Sequence, residues 1–426
     1  AFHTLGCKVN QYETEAMKEQ FRDAGYEITG EEDPADVYII NTCTVTNLAD
    51  RKSRQYIRRM KKQCPQAIVA VTGCYAQVKP EEVAALPEVD IVAGTGEKNH
   101  LVRYVGEYLQ NHSKQTHILE YDALTSYHDK GIITSMDSRT RAYIKIQEGC
   151  NRFCSYCIIP YARGPVRSLP LETAAAQTRQ LRAEGYRELV LTGIEISSWG
   201  HDLKNGTGFI DLLEAVSAAA GDMRLRLGSL EPRTITEDFC RRAAKLPNLC
   251  PHFHLSLQSG CDATLKRMNR RYDTARFYES VRLLNEYFDR PAVTTDLITG
   301  FPGETEEEFT QTLAFIEKCG FAAMHIFPYS IRPGTKAAAM PQLTAAVKEE
   351  RAARAAQVAH RMHQTYLEGC VGRTYPVLFE QEKDGLYTGH APNYMAVAVQ
   401  GSELHNQVRE VTITACNGET LSGVLV

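Results

Sequence analysis

Residues 148–157 read Glu-Gly-Cys-Asn-Arg-Phe-Cys-Ser-Tyr-Cys and contain Cys150, Cys154 and Cys157. This run follows a strand-like apolar segment at residues 142–147 and precedes a helix-like stretch. Three thiolates at Cys-x3-Cys-x2-Cys spacing can bind three corners of a 4Fe-4S cube and leave one iron open. A zinc knuckle and buried structural thiols are the alternatives, but no second ligand pair follows closely. The spacing therefore predicts an iron-sulfur cluster with an open iron.

The cysteine triplet resembles the signature of the radical S-adenosylmethionine (radical SAM) enzymes. The resemblance implies that SAM binds the open iron and is cleaved to a 5'-deoxyadenosyl radical, which attacks an unactivated C–H bond. Tyr156 lies where that family places an aromatic residue near the adenine. Among the further candidates, Gly193 fits a turn at least as well, and Glu231 could instead pair with Arg226 or Arg233. The cofactor-binding residues that we predict are Tyr156, Gly193, Glu195, Ser229, Glu231 and Gln258.

Composition sets broad limits on the protein. The chain has 426 residues, 43% of them hydrophobic, which is enough for two or three domains. Thirteen cysteines without a secretory pattern predict a reducing compartment, the cytoplasm, and no disulfides. No apolar run approaches the length of a membrane span, so we expect no membrane association. The net charge of −4 requires any RNA contact to use local basic patches.

Cys7, Cys43 and Cys74 each come just after a predicted strand in the first part of the chain. Strand-like and helix-like patterns alternate there, which predicts a doubly wound parallel α/β sheet. In such sheets the ligand crevice lies outside the carboxyl ends of the strands, so the three thiols should converge. Buried thiols and a redox dithiol are the alternatives to a second three-thiolate site. The predicted strands are 2–5, 37–40, 68–71 and 91–93.

Six further strand-helix units predict a partial (β/α)6 barrel, with ligand-binding loops at the carboxyl ends of its strands. A long helix at 343–367 then leads to short strands that predict a small antiparallel barrel. The predicted barrel strands are 142–147, 188–191, 224–230, 253–257, 293–298 and 324–329, and the later ones are 375–380, 394–399, 410–415 and 420–426. We expect domains at residues 1–130, 136–367 and 368–426.

A second resemblance covers the whole chain. Residues 5–15 (Leu-Gly-Cys-Lys-Val-Asn-Gln-Tyr-Glu-Thr-Glu), 41–50 and 72–74 resemble the amino-terminal domain of the methylthiotransferases, which carries an auxiliary 4Fe-4S cluster. The last barrel resembles the nucleic-acid-binding TRAM domain. Residues 5–15, with 158–164 (Ile-Ile-Pro-Tyr-Ala-Arg-Gly) and 328–335 (Pro-Tyr-Ser-Ile-Arg-Pro-Gly-Thr), are most similar to the bacterial tRNA threonylcarbamoyladenosine methylthiotransferases of the MtaB type.

This resemblance implies conversion of N6-threonylcarbamoyladenosine at position 37 of tRNA to its 2-methylthio derivative. One SAM would methylate a sulfur held at the auxiliary cluster, and a second would supply the radical that activates carbon 2. The implied cofactors are two 4Fe-4S clusters and SAM. The implied partners are the tRNA anticodon stem-loop, an electron donor such as flavodoxin or ferredoxin, and a sulfur source.

Local basic patches are candidates for RNA contact. One is a stripe on the helix after Cys43, a second lies near the barrel opening, and a third lies in the TRAM-like barrel. A solvated helix face explains the charges of the first two patches equally well, and the last barrel could instead be a structural cap. If RNA does bind there, its affinity should fall steeply with salt. The RNA-contacting candidates are Arg51, Arg54, Arg58, Arg270, Arg271, Arg373, Asn393 and Tyr394.

Three other functions stay open from the sequence. The same clusters could act on isopentenyladenosine in tRNA or on an aspartate of a ribosomal protein. The chain could also be an iron-sulfur RNA-binding regulator without catalysis. Nucleoside analysis of tRNA separates the substrates, and formation of 5'-deoxyadenosine separates the enzymes from the regulator.

Overall fold

The computed structural model describes residues 1–125, 127 and 140–426. The boundary predicted between residues 130 and 136 lies outside this part of the chain. The other domain boundaries stay predictions. No helix in the described residues is both long and apolar enough to cross a bilayer.

The first sheet is parallel and its strand order follows the chain, β1-β2-β3-β4-β5. The alternation of the sequence predicted its first four strands, but it missed β5, a short edge strand with polar residues. Helices cover both faces, because apolar residues of α1 and α5 pack on one face and those of α2 to α4 on the other. The strands are β1 (Phe2–Thr4), β2 (Val37–Thr42), β3 (Ile68–Gly73), β4 (Ile91–Ala93) and β5 (Gln115–His117). The helices are α1 (Lys8–Asp23), α2 (Asn47–Gln63), α3 (Cys74–Val78), α4 (Pro80–Ala84) and α5 (Leu101–Asn111).

The central barrel contains the six predicted parallel strands. β6, β8 and β9 form one sheet and β10 to β12 another, and parallel bridges at Leu225–Leu249 and Leu230–Leu255 connect the two. The unpredicted β7 has two residues and pairs antiparallel with β6. The strands are β6 (Arg141–Glu148), β7 (Arg167–Ser168), β8 (Glu188–Gly193), β9 (Arg224–Leu227), β10 (His252–Gln258), β11 (Ala292–Thr299) and β12 (Ala323–Pro328). The helices are α6 (Ile159–Arg163), α7 (Leu171–Ala183), α8 (Phe209–Ala220), α9 (Glu237–Ala243), α10 (Asp262–Arg267), α11 (Thr274–Tyr287) and α12 (Glu306–Cys319).

The long helix α13 (Ala345–Glu368) leads to a closed five-stranded barrel with the order β13-β14-β15-β17-β16. This barrel confirms the small β-barrel predicted from the sequence, although β14 was not predicted and β15 pairs parallel with β17. Its strands are β13 (Thr374–Lys383), β14 (Leu386–His390), β15 (Ala396–Gln400), β16 (Val408–Asn417) and β17 (Thr420–Leu425).

The C-terminal barrel packs against the N-terminal ends of the central strands, a region we call the barrel floor. Glu188 is fully buried there and pairs with Arg141, Arg224 and Arg226 at 3.1, 2.6 and 2.9 Å. The ring of Tyr394 covers these charges, with the guanidinium of Arg226 4.6 Å from its centroid. The barrel floor therefore consists of buried ion pairs that are covered by the ring of Tyr394. This contact joins the central barrel to the C-terminal barrel.

Glu188→Gln should lower the free energy of unfolding by about 3–5 kcal/mol, because it leaves three arginines without their shared carboxylate. Burial alone would raise the pKa of Glu188, but the arginines hold it well below its ordinary value. The pairing energy is therefore complete above the unfolded pKa of about 4.3 and is lost as the pH falls further. Urea unfolding followed by circular dichroism at pH 7 and at about pH 3 measures both effects.

Glu279→Gln is the matched control, since Glu279 pairs with Arg282 at 2.8 Å on the solvent-exposed surface. We expect no measurable change there, because solvent screens such a pair. Equal effects of the two substitutions would contradict our account of the floor.

Candidate active site

Cys7, Cys43 and Cys74 follow the carboxyl ends of three neighbouring strands, β1, β2 and β3. Gly6 has a φ of +109°, and a Cβ at Gly6 would come within 2.7 Å of Cys43 Cβ. Burial, followed by the neighbouring Cys74 and Cys7, raises the pKa of Cys43 to about 12. The structure thus brings together the three thiols that the strand-end pattern predicted, which we call the auxiliary thiols.

Asn10 holds the backbone around these thiols. Its side-chain nitrogen donates to the carbonyl oxygens of Leu5 at 2.7 Å and of Thr42 at 3.1 Å. Asn41 in turn donates to the Asn10 carbonyl oxygen at 3.0 Å. The turns that carry Cys7 and Cys43 are therefore tied to each other through α1.

Arg163, at the end of α6, joins the auxiliary thiols to the central barrel. Its side chain is fully buried, and its Nε donates to Cys74 Sγ at 3.1 Å. The same guanidinium also donates to Glu13, to Asn10 and, at 3.2 Å, to Glu148. Since a buried arginine needs such partners, this residue fixes where the first sheet sits on the barrel.

Glu13 is the centre of the same buried network. It forms ion pairs with Arg163, with Lys98 and, at 3.0 Å, with Lys145, which also pairs with Glu148 at 2.6 Å. Three cations therefore meet two carboxylates, and the excess positive charge lies beside Cys74. Sequence reasoning missed this network, although a lysine inside the apolar strand β6 was a signal that a buried partner existed.

Cys150, Cys154 and Cys157 lie on the loop between β6 and α6, and we call them the loop thiols. Gly149 has a φ of +73°, and a Cβ there would come within 1.9 Å of the Pro165 oxygen, so only glycine allows this turn. Burial, followed by Cys154, raises the pKa of Cys157 to about 12, and burial raises that of Cys150 to about 11. The loop thus brings these three thiols within electrostatic reach of one another.

Arg270 lies against this loop, although it was predicted to contact RNA. Its Nη1 donates to Cys154 Sγ at 3.3 Å, and its guanidinium carbon lies 4.9 Å from the centroid of the Tyr272 ring. The neighbouring Arg271 is exposed. The run of charges in the sequence did not indicate which of the two residues, Arg270 or Arg271, contacts the cysteine loop.

Arg152, between the first two loop thiols, organises the predicted cofactor site. Its Nη2 lies 3.1 Å from Glu195 and 3.8 Å from Glu231. Glu231 also pairs with Arg233 at 3.0 Å, one of the two alternatives that the sequence left open. Glu195 Oε1 is buried without a hydrogen-bond partner in the described part of the chain, so a donor group of a cofactor could satisfy it.

The other predicted cofactor residues differ in their surroundings. Tyr156 is partly buried and lies edge-on to Phe301, with 6.3 Å between the ring centroids. Gln258 has a φ of +69°, and Ser229 is exposed just after β9. A Cβ on Gly193 would come within 2.9 Å of the Gln147 oxygen, so packing also explains that glycine. These assignments to the cofactor stay predictions.

Within the described residues, no group of three His, Cys, Asp or Glu side chains is arranged to hold a single metal ion. In a 4Fe-4S cube each thiolate binds a different iron, so the sulfurs need not converge on one point. Two sets of three thiols, with no carboxylate or imidazole among their predicted ligands, fit a soft iron-sulfur cube.

The RNA candidates in the C-terminal barrel need correction. Asn393 is only 2% exposed and donates to the Tyr366 hydroxyl at 3.2 Å. Tyr394 stacks on His252 at 5.1 Å between centroids, inside the junction of the two barrels. Both are structural because their loop packs on the barrel floor. Arg373 is exposed but pairs with Asp289 at 3.0 Å.

The stripe on α2 is partly neutralised. Arg54 pairs with Glu82 at 2.8 Å, and Arg58 lies 3.9 Å from Glu88. Arg51 is exposed. RNA contact by these arginines stays a prediction.

The first 94 residues match the uncharacterized protein family UPF0004, and residues 144–316 match the Radical SAM superfamily. The threonylcarbamoyladenosine tRNA methylthiotransferase MtaB of Bacillus subtilis is 41% identical over 95% of this chain and 90% of its own. The MtaB of Aquifex aeolicus is 39% identical over 94% and 96%. The chain belongs to the radical SAM methylthiotransferases.

A sister group of this family is also similar. The tRNA-2-methylthio-N(6)-dimethylallyladenosine synthase of Desulforamulus reducens is 32% identical over 99% of this chain and 94% of its own. Among solved structures, the radical SAM methyltransferase TsrM of Kitasatospora setae has a TM-score of 0.57 at 15% identity, covering 87% of this chain and 76% of that one. That likeness confirms the fold, and the higher identities favour the MtaB group of methylthiotransferases.

In the metal-free methylthiotransferase, iodoacetamide should modify Cys7 at least about tenfold faster than Cys43 or Cys74, because Cys7 is exposed and the other two are buried. The rate at Cys43 should rise about tenfold per pH unit, since its thiolate fraction grows while the pH stays below its pKa of about 12. Peptide mass spectrometry measures each site, with the fully buried Cys240 as an unreactive control. Equal modification rates at Cys7, Cys43 and Cys74 would show that Cys43 and Cys74 are as accessible to solvent as Cys7, which would contradict the buried positions described above.

Proposed function

We propose that this protein converts N6-threonylcarbamoyladenosine at position 37 of tRNA to its 2-methylthio derivative, with one 4Fe-4S cluster on the loop thiols and another on the auxiliary thiols. The observation that carries the proposal is the bond from Arg163 to Cys74. Arg163 lies only six residues after Cys157, so one short segment connects the two thiol sets. The names and identities of the relatives support the choice of substrate.

The loop-thiol cluster, when SAM is bound to it, supplies the radical chemistry of the family. The protein's own residues then have separate tasks. Arg152 and Glu195 would hold the polar groups of SAM beside the loop thiols, and the orphaned Glu195 Oε1 would accept from one of them. Arg163 donates to Cys74 and places positive charge next to the auxiliary thiols, which favours their anionic form.

Apolar side chains form an exposed rim near both thiol sets. Val45 and Leu48 follow Cys43 and are 53% and 54% exposed, while Phe153 and Tyr161 lie on the loop-thiol side. The rings of Phe153 and Tyr161 are 5.8 Å apart in an edge-to-face arrangement. Exposed aromatic residues of this kind can stack on unpaired bases, as proteins that bind single-stranded nucleic acid do. We assign the rim to the anticodon loop.

Two contacts keep the first sheet docked on the barrel around this rim. Arg332 is 3% exposed and pairs with Asp50 at 3.2 Å, and it also donates to Asn47 at 2.9 Å. Thr95 donates to the Ala162 oxygen at 2.8 Å. The docking would hold the target base between the two clusters and exclude water from a reactive carbon centre.

The proposal also includes the partners and the location of the enzyme. We propose that it works in the cytoplasm, that it receives electrons from a donor such as flavodoxin or ferredoxin, and that it takes sulfur from a separate source.

Cys43→Ala should keep the formation of 5'-deoxyadenosine but abolish methylthiolation, because only the auxiliary thiols are altered. The reconstituted variant is given reductant, SAM and an anticodon stem-loop RNA with threonylcarbamoyladenosine, and both products are quantified by mass spectrometry. Cys64→Ala is the matched control, since Cys64 follows the C-terminal end of α2, opposite to the end next to Cys43, and its replacement should leave both products unchanged. Loss of both products in Cys43→Ala would show that the two sites do not divide the work in this way.

The same assay separates the related functions. Wild-type protein is given, in separate mixtures, the RNA with threonylcarbamoyladenosine and an RNA with isopentenyladenosine. Modification of the isopentenyladenosine RNA alone, or of neither of the two RNAs, would refute the proposed substrate. Absence of 5'-deoxyadenosine in every mixture would instead favour the non-catalytic regulator.

Arg163→Gln should shift the reduction potential of the auxiliary cluster to a more negative value, because a buried positive charge next to Cys74 is removed. Arg163→Lys keeps the positive charge, so the reduction potential of its auxiliary cluster should stay close to the wild-type value. EPR-monitored redox titration of each variant, with iron and sulfide quantification, measures this shift. An unchanged potential in Arg163→Gln, with full cluster content, would contradict the role of Arg163.

A further inference from the structure

Lys8 follows Cys7 directly and is the first residue of α1. Its ammonium lies 5.9 Å from the centroid of the Tyr394 ring, on the barrel floor. Arg226 and Arg141 are close enough to affect it electrostatically. The Lys8 side chain therefore leads away from the auxiliary thiols into the interior of the central barrel.

Lys8 makes no hydrogen bond or ion pair with the described residues, and its contact with the Tyr394 ring leaves the charge without a counter-ion. Its place in the helix is also unfavourable, since the amino end of a helix repels positive charge and the first turn of α1 contains no acidic residue. Lys8 is solvent-accessible, so a ligand can reach it. The charge thus contributes little to the stability of the fold, and an anionic ligand would give it a partner.

The surroundings of Lys8 are cationic and contain a free polar atom. Arg141, Arg224 and Arg226 share the single carboxylate of Glu188, and Arg141 also reaches Glu380, at 2.8 Å. Lys8 adds a fourth positive charge to these two carboxylates. His252, which stacks on Tyr394, is 8% exposed, and its Nδ1 is buried with no hydrogen-bond partner among the residues that the structure describes.

We infer that Lys8, with His252 beside Tyr394, binds the carboxylate of the threonylcarbamoyl group and so selects the substrate of this enzyme. This inference rests on the proposed function. If carbon 2 of the adenine faces the auxiliary thiols, the N6 substituent lies on the other side of N1 along the same edge of the base, and Lys8, which extends from Cys7 into the barrel, is within reach of that edge. An isopentenyl group carries no charge and would leave Lys8 without a partner, which disfavours it.

The test compares two anticodon stem-loop RNAs. One carries threonylcarbamoyladenosine, and the other carries the same group with its carboxylate converted to a neutral amide. Wild-type protein with both clusters should bind the first RNA roughly ten- to a hundredfold more tightly, because only the carboxylate forms a charge-assisted bond with Lys8. Lys8→Met should reduce that preference to near unity by weakening only the first complex. Lys8→Arg keeps the charge and should retain most of the preference.

Fluorescence anisotropy measures the dissociation constants under anaerobic conditions, and iron content with 5'-deoxyadenosine formation verifies that each variant is intact. Lys62→Met, which removes an exposed lysine at the end of α2, is the control and should keep the wild-type preference. The inference is overturned if wild-type protein binds both RNAs equally, or if Lys8→Met weakens both complexes by the same factor, as loss of a phosphate contact would. Failure of the proposed function looks different, because wild-type protein would then make no methylthio product from threonylcarbamoyladenosine RNA.

Discussion

The buried guanidinium of Arg163 is the interaction on which the arrangement of the site depends. It contacts Cys74 of the first sheet and Glu148 of the central barrel, and Glu13 pairs with it from α1. A buried charge is costly unless its partners are held in place, so this network permits few positions of the sheet on the barrel. The constraint fixes the sheet that carries the auxiliary thiols on the barrel that carries the loop thiols.

The floor of the central barrel differs from an ordinary hydrophobic core. It consists of Glu188 with three arginines, and Tyr394 covers it from the C-terminal barrel. The C-terminal barrel therefore has a structural task in addition to any contact with RNA, because it covers charges that would otherwise face solvent. A charged floor also suits a substrate with a charged substituent better than a substrate with an apolar one.

Much of the fold followed from local patterns. Alternating strands and helices predicted the first sheet, the six central strands and the small barrel, whereas the two-residue β7 and the polar β5 lacked a hydrophobic signal. The placement of Cys7, Cys43 and Cys74 after successive strands was sufficient to predict that they meet, since parallel strands end at one edge. The charged partners were not predictable in this way. Arg270 was expected on the RNA surface and lies on Cys154, because helix periodicity does not show what a neighbouring loop presents.

The sequence by itself determined which residues can be cluster ligands, since thiol spacing and strand-end position are local properties, and its motifs determined the family. Only the tertiary structure decided which charges face those thiols. Arg163 reaches Cys74 across 89 positions of chain, and Lys8, near the start of the chain, approaches Tyr394, near its end. Such pairs depend on how the domains dock. The hydrophobic periodicity of a single helix or strand predicts that one of its faces is buried, but it does not predict which residues cover that face.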